Sequence, residues 1–93
     1  MTGARILVVD DERAIRRFLK ISLEAEGYFY LEAEYGESGL VVAATQRPEL
    51  IILDLGLPDI DGATVLKRLR EWSSVPVIIL TVRDAENEKV ALL

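Results

Sequence analysis

The stretch Leu50-Ile-Ile-Leu-Asp-Leu-Gly-Leu-Pro-Asp-Ile-Asp-Gly62 decides how this chain folds. Its apolar run, Leu50 to Leu53, shows no polar alternation and reads as a strand buried on both faces. Strands of that kind belong to parallel sheets covered by helices. The run ends in a carboxylate, Asp54, and Gly56, Pro58 and Gly62 then turn the chain. An acid at the end of a buried strand is costly unless it is solvated, paired or bound to a cation. Ligands of open α/β sheets sit beyond the carboxyl ends of the strands. Asp54 is therefore either a turn cap or a residue aimed at a site, and this stretch alone leaves the two readings balanced.

Working outward, Ile6-Leu-Val-Val9 is a second apolar run, and it too ends in acid: Asp10, Asp11 and Glu12. From Arg13 the period becomes helical, with Ile15, Phe18, Leu19 and Leu23 on one stripe and Gly27 where a helix C′ residue belongs. Arg13, Arg16, Arg17 and Lys20 fall on the opposite face. That face reads as solvated, with a docking surface for an acidic partner as the sharper alternative. Tyr28 to Ala33 suggests a half-exposed strand. A helix from about Glu37 to Gln46 should bury Leu40, Ala43 and Ala44 before Pro48 stops it. Another follows Gly62, with Val65, Leu66 and Leu69 inward and Trp72 closing it as a packing residue. Val75 to Leu80 is the next buried strand and ends at a hydroxyl, Thr81. Asp84 could cap a last helix running through Glu88 and Val90 to the terminus. This β-α-β-α-β-α-β-α order predicts a parallel sheet with right-handed crossovers, placing Asp10, Asp11, Asp54 and Thr81 on one edge.

Composition narrows the chemistry. Ninety-three residues make one small domain, and an apolar content of 51% supports a packed core. The chain has no cysteine and no histidine. Disulfides, thiolate or imidazole zinc sites and nucleophile–His pairs are thereby excluded. A metal would need oxygen ligands, which points to a hard cation such as Mg²⁺. A net charge of −5 argues against nucleic acid as a partner of this segment. Met1 to Arg5 lacks the long apolar region of a signal peptide, and no stretch could span a membrane, so a cytoplasmic location is expected.

Three carboxylates converging on one place repel one another unless a proton or a divalent cation intervenes. Asp11, Asp54 and a backbone carbonyl just after Asp54 could supply Mg²⁺ ligands, leaving positions for phosphoryl oxygens. Asp54 is then a candidate nucleophile, because carboxylates can form aspartyl-phosphate, and Thr81 could hydrogen-bond a phosphoryl oxygen. No Walker loop or Gly-x-Gly-x-x-Gly supports a nucleotide site.

Asp10-Asp11 after the first strand, the Asp54 to Gly62 turn after the third and Leu80-Thr81 after the fourth resemble receiver domains of two-component response regulators. The likeness is greatest to the winged-helix OmpR/PhoB subfamily. It implies a doubly wound, flavodoxin-like α/β fold of strand order 2-1-3-4-5. It further implies that Asp54 takes a phosphoryl group from a sensor histidine kinase, controlling a transcriptional output domain absent here. Asp11, Asp54 and the Gly56 carbonyl would bind Mg²⁺ directly, with Asp10 acting through water and Thr81 as the switch hydroxyl. Such a chain is a regulator that assists its own phosphorylation and dephosphorylation, and would meet DNA only through a further domain. The alternative is a Mg²⁺-dependent phosphohydrolase with an aspartyl nucleophile, which usually carries an acid where Gly56 stands. Two departures accompany the resemblance. Val82 follows Thr81 where the family usually has a small residue. The family's fifth strand, its lysine and its last helix are missing, so residues 1–93 read as a receiver domain incomplete at its C-terminus. A bare edge on the fourth strand would then favour dimers or other edge-mediated association.

Overall fold

The computed structural model describes residues 3–81 and 89–92. Along the chain run β1 (Arg5–Val9), α1 (Arg13–Ala25), β2 (Phe29–Ala33), α2 (Gly36–Gln46), β3 (Leu50–Asp54), α3 (Gly62–Arg70), β4 (Val77–Thr81) and β5 (Lys89–Leu92). The sheet order is β2-β1-β3-β4-β5, with the first four strands parallel as the alternating pattern requires. In register, Val9 lies beside Leu53 and Ala33, and Asp54 beside Leu80. The ends of β1 and β3 thus stand next to each other.

The apolar runs are buried on both faces, as their lack of alternation implied. Leu7, Val9, Ile51 and Leu53 pack with Ala43, Val65 and Leu69 under α2 and α3. Their strand neighbours Ile6, Val8 and Ile52 point the other way, toward Leu19 and Leu23 of α1. This second layer is thin. No residue of α1 is fully buried, and Phe18, expected in its apolar stripe, is 66% exposed. A stripe holding both Phe18 and Leu19 spans about 100° of helix, and only its Leu19 side meets the sheet. Ala44 is likewise exposed, with Ala43 filling the core position beside it.

The helix ends follow local chemistry. After α1, Gly27 takes φ 91°, the Tyr28 N–H reaches the Leu23 carbonyl at 3.1 Å and the Gly27 N–H reaches Glu24 at 3.0 Å. This is the Schellman closure that glycine permits. At the end of α2 the left-handed position falls on Arg47, φ 51°. There the Arg5 guanidinium donates to the Gln46 and Arg47 carbonyls at 2.9 and 2.8 Å, supplying partners the helix lacks.

The C-terminal segment corrects two expectations. Residues 89–92 form a strand, not the end of a last helix, and β4 is therefore not a bare edge. β5 pairs antiparallel with it, Thr81 opposite Lys89 and Ile78 opposite Leu92. A run of four consecutive apolar residues, Val90 to Leu93, carries no period that separates helix from strand. The unpaired N–H and C=O groups of β4 favour the strand. Val82 and the expected Asp84 cap and Glu88 lie outside the described residues.

Candidate functional site

The site grows from two strand ends. β1 stops at Val9, and the turn to α1 begins with Asp10, whose N–H is held by the Ala33 carbonyl of β2 at 3.1 Å. The Asp10 side chain folds back so that Oδ1 accepts the Glu12 N–H at 2.8 Å. Asp10 is only 5% exposed, Asp11 is exposed, and Asp54 at the end of β3 is half-buried. Carboxylate oxygens of Asp10, Asp11 and Asp54 all lie within 4.8 Å of one another. These are the three acids singled out from the sequence, and the parallel register of β1 and β3 brings them together. Thr81 ends β4 one residue beyond Leu80, the register partner of Asp54. Gly56 is exposed, and its N–H donates to Asp54 Oδ1 at 3.3 Å, which turns the loop around the carboxylate.

The electrostatics are those of a crowded anionic cluster. Burial pushes the Asp10 carboxyl from 3.8 up to about 6, the Glu12 N–H pulls it down, and the charges of Asp54, Asp11 and Glu12 raise it further. Three hard oxygen donors around partly desolvated negative charge suit a small divalent cation, and none of the donors is soft. The donor set therefore fits Mg²⁺ better than a zinc-type metal.

Four further residues shape the site without having been assigned a role in it from the sequence. Arg16, read as part of a solvated basic face, has a side chain only 12% exposed. Its Nη1 donates to the Asp10 carbonyl at 2.8 Å and its Nε lies 3.4 Å from Glu32 Oε1. The Tyr30 hydroxyl sits 2.9 Å from both Glu32 Oε1 and the Arg16 carbonyl. Position in the first turn of a helix that follows Asp10 was the available signal for Arg16. Gly62 is required by close approach, since a Cβ there would lie 2.6 Å from the Asp54 carbonyl oxygen and 2.7 Å from Leu55 Cα. Asp59 reaches the first turn of α2, where its two oxygens accept the Gly36 and Glu37 N–H groups at 2.8 and 2.9 Å. Nothing local announces that contact. Asp61, which the sequence reading gave no role, caps α3: its Oδ1 accepts the Thr64 N–H at 2.7 Å.

A flavodoxin-like sheet whose adjacent β1 and β3 end in clustered acids at the switch point of strand order is the architecture of a signalling receiver domain. The chain belongs to the response regulator receiver domain family, whose model matches residues 6–93. It is 54% identical over 88 residues to the KDP operon transcriptional regulatory protein KdpE of Escherichia coli, covering 95% of this chain and 39% of that protein. It is 45% identical over 87 residues to the alkaline phosphatase synthesis transcriptional regulatory protein PhoP of Bacillus subtilis, covering 92% of this chain and 36% of that one. The chain thus spans about two fifths of the curated relatives it matches. Among solved structures, the Francisella response regulator 1452 receiver domain superposes with a TM-score of 0.81 at 33% identity, over 91% of this chain and 72% of that one. A complex of histidine kinase ThkA with response regulator protein TrrA gives 0.79 at 41% identity, over 86% and 70%. Among the described residues no helix is long and apolar enough to cross a membrane.

Proposed function

We propose that this receiver domain accepts a phosphoryl group on Asp54 from the phosphohistidine of a sensor kinase, in the service of a transcriptional output. The observation that carries the reading is the meeting of Asp10, Asp11 and Asp54 oxygens within 4.8 Å at adjacent strand ends. Membership of the receiver family and the kinase-bound TrrA neighbour support it. Mg²⁺ held by Asp11, Asp54 and the Gly56 carbonyl, with Asp10 acting through water, would neutralise the carboxylates and the incoming phosphoryl oxygens. An Asp54 carboxylate oxygen attacks phosphorus, the P–N bond to the donor histidine breaks, and the imidazole keeps that electron pair and takes a proton. The Gly56 N–H on Oδ1 orients the attacking group. The Thr81 hydroxyl hydrogen-bonds the bound phosphoryl group and is the switch element. Arg13, Arg17 and Lys20, exposed on α1, are the surface for the kinase. The edge-mediated association expected of a bare β4 loses its motive, because β4 is paired on both sides. Cytoplasmic residence follows from a kinase partner of this kind.

The test is intact mass after incubation with a small phosphodonor and Mg²⁺. One labile phosphoryl group should appear, and it should vanish in Asp54→Ala. An adduct of equal yield in Asp54→Ala would overturn the assignment.

A further inference from the structure

The loop from Leu55 to Asp61 carries Gly56 past Asp54 and into α3. Its two ends are secured locally: the Gly62 N–H donates to the Leu55 carbonyl at 3.0 Å, and Asp61 caps α3. Its middle is secured from elsewhere. Asp59 crosses 23 positions of sequence to α2, taking the Gly36 N–H on Oδ1 and the Glu37 N–H on Oδ2. Tyr35, the N-cap residue of α2, makes no side-chain cap to those donors. Beside the polar contact, Ile60 fills the space at Gly36, where a Cβ would fall 2.5 Å from Ile60 Cγ1. The use of both carboxylate oxygens requires an ionised Asp; an Asn side chain offers one acceptor. The Glu37 N–H, with those of Gly36 and Ile60, holds the Asp59 carboxyl below its ordinary value of 3.8, so both acceptors persist at neutral pH.

We propose that Asp59 is a positioning residue: by clamping the loop to the first turn of α2 it sets where the Gly56 backbone stands relative to Asp54. The consequence for cation affinity rests on the metal reading above; the consequence for the loop does not. The competing role is helix capping alone, and a second substitution separates the two. Tyr35 has the extended backbone of an N-cap, φ −128° and ψ 160°, so Tyr35→Asp can cap α2 from within its own segment.

The experiment compares the full chain with Asp59→Ala and with Tyr35→Asp/Asp59→Ala, by amide hydrogen exchange and by Mg²⁺ titration followed by NMR. In Asp59→Ala, exchange should rise roughly three- to tenfold both at Glu37, which loses its acceptor, and in the loop at Gly56 and Leu57, which do not touch Asp59, the size expected of a lost cap. Mg²⁺ affinity should fall by a similar factor. In the double variant, Glu37 should regain protection while the loop amides and the Mg²⁺ affinity stay at the Asp59→Ala level. Recovery of the loop together with the helix, or loop exchange unchanged in Asp59→Ala, would overturn the proposal. Asp11→Asn serves as the control for the metal reading: an unaltered Mg²⁺ titration there faults that reading, and loop exchange still judges Asp59.

Discussion

Asp10→Asn should make the cation-free protein more stable, and the gain should depend on pH. The Asp10 carboxyl is held near 6 in the folded chain, against 3.8 for the ordinary group, with burial as the main cause. Between those values the folded state binds more protons than the unfolded one, so stability falls as pH rises through that window, and the whole penalty is present above it. The gap corresponds to about 3 kcal/mol at about 1.4 kcal/mol per pKa unit. Asparagine removes the charge and keeps an oxygen for the Glu12 N–H, 2.8 Å away in the native structure. At pH 8 with a chelator present, Asp10→Asn should therefore unfold about 2–3 kcal/mol later in urea, equivalent to roughly 8–20 °C in Tm for a chain of this size. At pH 4.5 the gain should shrink to about a third. Added Mg²⁺ should narrow the difference at pH 8, since it favours the ionised carboxylates. A variant no more stable than the parent at pH 8, or one stabilised equally at both pH values, would refute the charge argument.

Asp11→Asn should weaken Mg²⁺ binding by at least tenfold in a calorimetric titration, because it removes a proposed charged ligand. Gly62→Ala should cost about 1–3 kcal/mol by overpacking, since the new Cβ meets backbone at 2.6 and 2.7 Å and the backbone cannot swing aside. Urea unfolding measures it, with Ala63→Gly as a control for helix propensity. Leu53→Ala, at a side chain with no exposure, should cost about 2–5 kcal/mol in the same assay. Arg16→Met should leave the Asp10 carbonyl without its 2.8 Å partner and cost about 1–3 kcal/mol. Equal stability of Arg16→Met and the parent would show that water replaces the guanidinium at no penalty.

The acid cluster was legible because it depends on two local facts, an apolar run ending in acid at Val9–Asp10 and again at Leu53–Asp54. The parallel register that joins those ends follows from the alternation of strands and helices. What stayed hidden depends on contacts between distant segments. Asp59 has a place in the turn after β3, yet its partners are 22 and 23 positions earlier. Arg16 reads as surface because charge predicts solvation, while its long apolar stem lies against the protein and its head finds acceptors. Phe18 was misplaced for the opposite reason: periodicity marks a stripe without saying how wide a surface will receive it. The β5 strand was missed because four apolar residues in a row suit either conformation, and the choice falls to the open edge of β4.

The two ties on α2 carry a consequence for how the molecule assembles. Arg5 from β1 closes its last turn and Asp59 from the loop after β3 closes its first. In between, Gly39 must lack a side chain because Val9 Cγ2 lies 2.9 Å from where a Cβ would be, and glycine costs a helix about 1 kcal/mol relative to alanine. Val41, Val42 and Thr45 are also poor helix formers. An isolated peptide of this segment has little reason to coil. Its helix is lent by β1 and the β3–α3 turn, so α2 should be the late arrival in folding, wound only once its neighbours are in place to hold both of its ends.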